Sequence, residues 1–183
     1  MVLSKYIENN FSSKRGLLAA IKYKVLYRLG FYRTYQQIDF KTVSRLVFVC
    51  SGNICRSPFG EYIAKSKGLE AESYGLHCRG GDKADPRAIL EASNRGVDMR
   101  DHLTRHISEY KFKKGDLILI MEPWHLSQLK ALKVKYGLVT FVPLWSVHPT
   151  PYLSDPFSGN EVFFSRCESV VELCVNTIRA KMS

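Results

Sequence analysis

The sequence lacks a long uninterrupted hydrophobic run. The apolar stretch Leu17–Ile21 near its beginning is only five residues long, and Lys22 and Lys24 interrupt the segment after it. A helix that crosses a bilayer needs about 20 predominantly apolar residues, and the apolar core of a signal peptide is also longer than this stretch. We therefore expect neither a transmembrane helix nor a signal peptide. Internal repeats and low-complexity tracts are absent as well.

Acidic residues are scarce relative to basic ones. The 183 residues contain 27 Lys and Arg against 17 Asp and Glu, which leaves a formal net charge of +10. The segment Met1–Val43 holds eight basic residues against Glu8 and Asp39, and so carries +6 of that charge. Such a surface suits a phosphorylated or acidic partner, anionic lipid or nucleic acid. No nucleic-acid motif and no G-x-x-x-x-G-K-[ST] loop accompanies it, so we expect neither nucleic-acid nor nucleotide binding.

Cysteine is sparse and shows no disulfide framework. The five cysteines are an odd number without the spacing of a small stapled scaffold, a usage typical of compartments that keep thiols reduced. We therefore expect a cytoplasmic protein with free thiols. Cys167 and Cys174 lie seven residues apart in a predicted helix and hence on one face, where we expect buried core positions rather than a redox pair.

The most informative segment is Cys50–Pro58, with the sequence CSGNICRSP. The apolar run Leu46–Val49 before it indicates a buried strand, and Ser57 with Pro58 predicts the N-cap and first position of a helix. A strand, a tight loop and a helix N-terminus together bind anions, because the loop N–H groups turn inward and the helix dipole adds positive potential. The pattern therefore predicts a phosphate site with a cysteine at one end and an arginine at the other.

The residue types of this loop fit nucleophilic chemistry at phosphorus. N–H donors and the neighbouring Arg56 would lower the pKa of Cys50 from the usual value of about 8.5, so we expect a thiolate near neutral pH. Arg56 presents a planar fork that can hold two phosphate oxygens. Asn53 suits a position with positive φ, which asparagine tolerates. We predict that the whole loop binds phosphate: Ser51, Gly52, Asn53, Ile54, Cys55, Arg56 and Ser57.

Apolar strands alternate with helical segments after residue 44. This alternation predicts an α/β fold, a doubly wound sheet of about four parallel strands with helices on both faces. Ligands bind at the carboxyl ends of the strands in such sheets, and Cys50 ends the first of them. The predicted strands are Arg45–Cys50, Ala71–Gly75, Asp116–Met121 and Val139–Leu144. The predicted helices are Ser57–Lys67, Pro86–Arg95, Pro123–Lys135 and about Asn160 to Lys181.

Together with Asp155-Pro156 far downstream, this segment resembles the low-molecular-weight protein tyrosine phosphatase family, from about Arg45 to the end of the chain. The resemblance implies a phosphotyrosine phosphatase without metal or cofactor, in which Cys50 forms a phosphocysteine intermediate and Arg56 clamps the phosphate. Gly75-Leu76 followed by Ala84-Asp85-Pro86 is most similar to bacterial members. Those members act with tyrosine autokinases in exopolysaccharide control, which implies a phosphotyrosine protein, such as an autokinase, as partner.

The resemblance also assigns supporting roles in and around the loop. It implies that Asn53 holds the shape of the loop, that His102 holds Asn53, and that the Ser57 hydroxyl hydrogen-bonds the cysteine sulfur. It implies a reversible disulfide between Cys55 and the nucleophile, and a small buried residue is the equal alternative for Cys55. One departure is Glu122, which stands where an aspartate is common.

Asp155 matches the acid of the family's Asp-Pro pair. A tyrosine phenol has a pKa of about 10, so its departure near neutral pH needs a proton, which a carboxylic acid on a facing loop can supply. The resemblance implies that Asp155 gives this proton and later serves as base for the attacking water. Pro156 stiffens the loop. Three flanking aromatic residues either line a phenol pocket or pack in the core: Trp145, Tyr152 and Phe157.

Other functions fit parts of the pattern. Arsenate reductases on the same fold usually carry Gln where Pro58 stands and two further cysteines beside the second strand, where only Cys78 is near. Phosphoarginine phosphatases carry Thr in place of Ile54. A non-catalytic phosphotyrosine-binding scaffold is a third alternative, which the intact catalytic residues disfavour.

His102 and His106 have the spacing of a metal pair, but no third ligand is evident, so we predict no metal site.

The segment Met1–Val43 lies outside the family resemblance. We predict one basic amphipathic helix over Leu17–Gln37 and a linker over Asp39–Ser44. Such a helix can lie on an anionic membrane, contact a second copy or pack on its own domain. We expect residues 1–43 to be a basic amphipathic helical extension of a phosphatase domain at 44–183, which tunes location or assembly and is not needed for chemistry. The apolar stripe of this helix is Leu18, Ile21, Val25 and Leu29.

Overall fold

The structure, a computed structural model, describes residues 2–183; Met1 lies outside the described residues. None of the helices in this range combines the length and apolarity needed to cross a bilayer. The strands are β1 (Arg45–Cys50), β2 (Ala71–Gly75), β3 (Asp116–Ile120) and β4 (Leu138–Phe141). The helices are α1 (Val2–Phe11), α2 (Lys14–Arg28), α3 (Arg56–Ser66), α4 (Pro86–Ser93), α5 (Pro123–Ala131) and α6 (Glu161–Met182).

The four strands form one parallel sheet in the order β2-β1-β3-β4. Every residue of β1 and β3 is buried, because helices cover both faces of the sheet. The register pairs Cys50 with Gly75 and Val49 with Ile120, so the carboxyl ends of three strands meet at one edge. The predicted doubly wound α/β fold is confirmed, and the end of β1 lies at the centre of the edge where such sheets bind ligands.

Close packing between α3 and β1 positions the loop that joins them. Gly60 of α3 lies directly over the ring of Phe48, and a Cβ at this glycine would approach the ring to 2.7 Å. The absence of a side chain lets the helix approach the strand, and most residues of both elements are buried. The loop Ser51–Cys55 is therefore held between two fixed ends.

The start of α3 differs from the sequence prediction. Cys55, not Ser57, is the residue that precedes the first helical residue, Arg56. The Ser57 hydroxyl is engaged with the loop and does not cap the helix. Pro58 consequently occupies the third helical position, which it tolerates because an N–H in the first turn has no partner within the helix.

Two other element ends also differ from prediction. β4 ends at Phe141 and a 3₁₀ turn over Val142–Trp145 replaces the last predicted strand residues, because Pro143 cannot donate a hydrogen bond to a ladder. Helix α5 ends at Ala131, since Lys133 has a φ of 53° that a helix cannot continue through.

The prediction of a single helix over Leu17–Gln37 is wrong. The helix α2 begins at Lys14, where Ser13 caps it by accepting a hydrogen bond from Gly16 N at 3.2 Å, and it ends at Arg28. Gly30 then takes a φ of 89° and reverses the chain into a 3₁₀ turn at Arg33–Gln36. A further helix, α1, precedes α2 and was not predicted.

Candidate active site

The loop after β1 encloses a small cavity of about 130 Å³. It opens at the carboxyl edge of the sheet. The residues that line it come from the loop, from the start of α3 and from the segment before α6: Cys50, Ser51, Gly52, Ile54, Cys55, Arg56, Asp155 and Phe157. The structure thus brings together the three residues predicted to do the chemistry, although Asp155 lies about a hundred positions beyond Cys50 in the chain.

Asn53 is the centre of the hydrogen bonds that shape the loop. It is fully buried with a φ of 55°, the positive value predicted for this position. Its side-chain amide donates to Ser57 Oγ at 2.9 Å and to Ser73 Oγ at 2.8 Å, while its Oδ1 accepts from the backbone N–H of Arg105 at 2.8 Å. The loop conformation is therefore specified by contacts from three separate parts of the chain.

His102 contacts the same asparagine. Its Nε2 donates to the backbone oxygen of Asn53 at 2.9 Å, and its ring is almost fully buried. Burial lowers the pKa of His102, which favours the neutral imidazole. His106 does not share a helix with His102 and instead contacts the backbone oxygen of Leu76 at 3.2 Å. The two histidines therefore serve separate hydrogen bonds, and within residues 2–183 no cluster of three potential metal ligands occurs.

The thiol of Cys50 lies 3.0 Å from the hydroxyl oxygen of Ser57. Burial raises the pKa of Cys50, whereas the charge of Arg56 and the hydrogen bond with Ser57 lower it. The carboxylate of Asp155 also raises it. The net direction is upward, so the prediction of a lowered pKa is wrong for this arrangement. The loop motif alone did not reveal how completely the thiol is buried, which is the largest cause, or that the Asp155 carboxylate lies nearby.

Arg56 is almost completely buried and is held by two carboxylates and a carbonyl. Its Nη1 donates to Glu122 Oε1 at 2.7 Å and to the backbone oxygen of Leu153 at 2.8 Å, and its Nη2 lies 2.8 Å from Asp155 Oδ2. Burial alone would lower the pKa of Arg56, but the carboxylates of Asp155 and Glu122 raise it above its ordinary value. The guanidinium therefore stays charged and is fixed in orientation.

Glu122 is a residue of the site whose role the sequence analysis did not identify. It directly follows Met121 at the carboxyl end of β3, beside the end of β1. Its position at the edge of the sheet next to Cys50 is the signal that could have identified it, because strand ends of a parallel sheet meet at one edge. Glu122 accepts a hydrogen bond from Nη1 of Arg56, whereas Asp155 pairs with Nη2, so the two carboxylates hold the two ends of the guanidinium group.

The segment that carries Asp155 is anchored at several points. Leu153 N donates to Met121 O at 2.9 Å, and Arg87 of α4 donates to the backbone oxygens of Phe157 at 2.8 Å and Gly159 at 3.1 Å. The carboxyl group of Asp155 stays 44% exposed and accepts from Phe157 N at 3.1 Å. No feature of the sequence pointed to Arg87. We call residues 153–159 the acid loop.

The three aromatic residues near the acid loop have different environments. Phe157 lines the cavity and is 58% exposed, so it is available to a ligand at the rim. Trp145 is buried edge-on against Phe40, with ring centroids 4.9 Å apart. Tyr152 stacks on Tyr23 of α2. Of the three, only Phe157 lines the cavity, and Trp145 packs in the core.

The remaining cysteines fall into two groups. Cys167 and Cys174 are buried in the core, as predicted, and burial raises the pKa of both. Cys55 is buried beside the cavity with its sulfur 3.8 Å from Asp85 Oδ2, and burial raises its pKa. Cys78 follows the last residue of β2 by three positions, and its sulfur would be 2.7 Å from a Cβ at Gly75. All five cysteines are free thiols, and Cys55 lines the same cavity as Cys50.

The model of the family "Low molecular weight phosphotyrosine protein phosphatase" matches residues 45–182. The chain belongs to this family. The match begins at the first residue of β1 and contains every residue of the candidate site, while α1 and α2 lie before it.

Relatives in this family share moderate sequence identity with the chain. The low molecular weight protein-tyrosine-phosphatase Etp of Escherichia coli strain K12 is 36% identical over 98 residues, which are 52% of this chain and 64% of that protein. The low molecular weight phosphotyrosine protein phosphatase of Schizosaccharomyces pombe is 31% identical over 67% of this chain and 86% of its own length. The crystal structure of the tyrosine phosphatase AmsI of Erwinia amylovora superposes with a TM-score of 0.66 at 27% identity, covering 77% of this chain and 94% of its own.

Proposed function

We propose that this protein is a protein-tyrosine phosphatase that works through a phosphocysteine intermediate. The observation that carries the proposal is that Cys50, Arg56 and Asp155 line one small cavity. Arg56 and Asp155 also form a salt bridge, with 2.8 Å between Nη2 and Oδ2. The family membership supports the same reaction. The catalytic unit in this proposal is the domain at 44–183, and residues 1–43 are a helical extension.

In the first step the Cys50 thiolate attacks phosphorus. The S–P bond forms while the P–O bond to the tyrosine oxygen breaks, and protonated Asp155 gives its proton to the departing phenolate. Arg56 and the loop N–H groups stabilise the charge on the equatorial oxygens. A deprotonated Cys50 is required, and the hydrogen bond from Ser57 stabilises that form.

In the second step water attacks the phosphocysteine. Asp155, now ionised, accepts the proton of the water, and the P–S bond breaks to return the thiolate and release inorganic phosphate. The Ser57 hydroxyl, 3.0 Å from the sulfur, stabilises the thiolate as it leaves. No metal or cofactor takes part in either step of this proposal.

The shape of the cavity supports a phosphorylated aromatic substrate. Its volume of about 130 Å³ suits a phosphoryl group rather than a whole side chain, so a phenol ring would lie outside the loop. Phe157 at the rim is placed to contact that ring, and aromatic rings prefer offset or edge-to-face contacts. We propose a phosphotyrosine protein as substrate, a bacterial tyrosine autokinase or another exopolysaccharide-pathway protein of the cytoplasm.

The proposal is tested by offering phosphotyrosine, phosphoarginine and arsenate to the full chain and to Cys50→Ser. We expect turnover of phosphotyrosine by the unmodified chain alone, and retained phosphate binding by the serine variant, because Arg56 and the loop remain. Turnover of phosphotyrosine by Cys50→Ser would remove the proposed nucleophile. Preference for phosphoarginine or reduction of arsenate would replace the proposed activity, and phosphotyrosine binding without turnover would indicate a scaffold.

A further inference from the structure

Helix α2 carries apolar residues on its exposed side as well as on the side that packs on the domain. The side that packs on the domain carries Gly16, which is buried, and Tyr23 and Tyr27, which are partly buried. The predicted apolar stripe points away from the domain. Its members are half to two-thirds exposed: Leu18 66%, Ile21 53%, Val25 50% and Leu29 69%. We call this stripe, with the neighbouring cations Lys14, Arg15, Lys22 and Arg28, the outer face of α2.

An apolar stripe of this kind needs an explanation. Isolated exposed apolar residues are common on protein surfaces, but a contiguous row marks a surface that another apolar phase covers. Successive members of the stripe are three or four residues apart, so they lie along one side of a helix about 22 Å long. Phe31, 67% exposed, follows shortly after the helix ends and adds an aromatic side chain.

The charges around the stripe favour a negatively charged surface. Within residues 2–43 none of the lysines or arginines forms a salt bridge with a carboxylate anywhere in the described chain. The two acidic residues of this segment, Glu8 and Asp39, are exposed and accept hydrogen bonds from Ser4 Oγ and Lys41 N respectively. The segment therefore presents uncompensated positive charge next to exposed apolar area.

We propose that the outer face of α2 binds the surface of a membrane rich in anionic lipid. A helix with an apolar side flanked by Lys and Arg lies in the interface plane, with its apolar side chains among the acyl chains and its cations near the headgroups. Contact between two copies through this face is disfavoured, because it brings two surfaces of the same positive sign together. The proposal does not depend on the phosphatase activity, since no catalytic residue belongs to the face.

The test is co-sedimentation of the full chain with vesicles of phosphatidylcholine alone or mixed with phosphatidylglycerol. We expect binding to the mixed vesicles and much weaker binding to the neutral ones. Binding should weaken between about 0.1 M and 1 M salt, as the Debye length falls from about 10 Å to about 3 Å. Absence of binding to the mixed vesicles, or equal binding to both, would overturn the proposal.

Two pairs of matched variants separate the apolar and the charged contributions. Leu18→Gln with Ile21→Gln and Val25→Gln should weaken binding by more than about tenfold, because three apolar side chains no longer enter the bilayer. The control changes three similarly exposed apolar residues of the domain at 44–183: Leu90→Gln, Val162→Gln and Leu173→Gln. Lys14→Gln with Lys22→Gln should weaken binding by about fivefold per lysine, and Lys114→Gln with Lys130→Gln is its control.

The remaining outcomes are also decisive. Far-UV circular dichroism and cooperative thermal unfolding show whether each variant is folded. If the variant of Leu18, Ile21 and Val25 does not fold, the variant of Lys14 and Lys22 still tests the face, because it keeps every apolar residue. Equal losses in a variant and its control would contradict the assigned face. If sedimentation velocity shows a dimer that the Leu18, Ile21 and Val25 variant abolishes, the face is an interface between copies and the membrane proposal is wrong.

Discussion

Tyr23 of α2 stacks on Tyr152, with ring centroids 5.2 Å apart and an angle of 26° between the rings. Tyr152 lies three residues before Asp155, so a helix that precedes the family domain contacts the base of the acid loop. Asn160, just after that loop, donates to Asn9 of α1 at 2.9 Å. The expectation that the N-terminal segment is not needed for chemistry stays a prediction, and these contacts provide a way to test it.

We predict that Tyr23→Ala weakens the general-acid step. Loss of an aromatic contact typically costs about 0.5–1.5 kcal/mol, so activity on phosphotyrosine should fall by about 2- to 10-fold as the acid loop loses its support. An ester with a more acidic leaving group should lose less, because its departure needs less help from Asp155. Tyr23→Phe keeps the stacked ring and should restore activity. An equal loss on both esters would show a general effect on folding instead.

Asp155→Asn should lower turnover of phosphotyrosine by about 10²–10⁴-fold, the usual contribution of a general acid. An aryl phosphate with an acidic phenol should lose far less, since its leaving group departs without a proton. Equal losses on the two esters would assign Asp155 a structural role.

The same substitution should change the titration of the nucleophile. Burial raises the pKa of Cys50, and the Asp155 carboxylate raises it further. Removing that negative charge should therefore lower the pKa of the thiol. The pH dependence of Cys50 alkylation by iodoacetamide measures this, with Asp98→Asn, an exposed carboxylate outside the site, as control. An unchanged alkylation profile would show that Arg56 already neutralises the effect of Asp155.

Glu168 should make stability depend on pH. It is fully buried in α6, and neither of its carboxyl oxygens has a hydrogen-bond partner within residues 2–183. Burial raises its pKa to about 8 from 4.5. The folded state then binds the proton more tightly than the unfolded state, so the free energy of unfolding should fall as pH rises through this window.

Chemical denaturation across that pH range, compared with Glu168→Gln, measures the effect. Each unit of pKa difference corresponds to about 1.4 kcal/mol, and the glutamine variant should show a flatter dependence. The exposed Glu70→Gln serves as control. If the glutamine variant follows the same pH curve as the unmodified chain, Glu168 is not the responsible group.

Mild peroxide should inactivate the enzyme reversibly through a disulfide between Cys50 and Cys55, because both thiols line the same cavity. Peptide mapping after oxidation identifies the product, and Cys55→Ser should make the inactivation irreversible. A disulfide of Cys50 with Cys78, whose sulfur lies beside Gly75, would assign the protective role to Cys78 instead. Sulfinic acid at Cys50 as the sole product would exclude both.

Local sequence determined the elements that depend on neighbouring residues. The apolar run of β1, the compact loop and the following helix were predictable, because each depends on backbone preferences and burial within a few residues. The positive φ of Asn53 follows from the same local reasoning. Where a side chain had two uses, local reasoning failed: the sequence predicts Ser57 as a helix cap, but in the structure this residue contacts Cys50 Sγ.

Long-range packing decided the features that no local pattern encodes. The pairing of Arg56 with Glu122, the support of the acid loop by Arg87 and the raised pKa of Cys50 all depend on groups that lie far from one another in the chain. The amphipathic period of α2 was visible in the sequence, but the side of that helix facing the domain was not. Periodicity defines two sides of a helix, and only the partner surface decides which of them is buried.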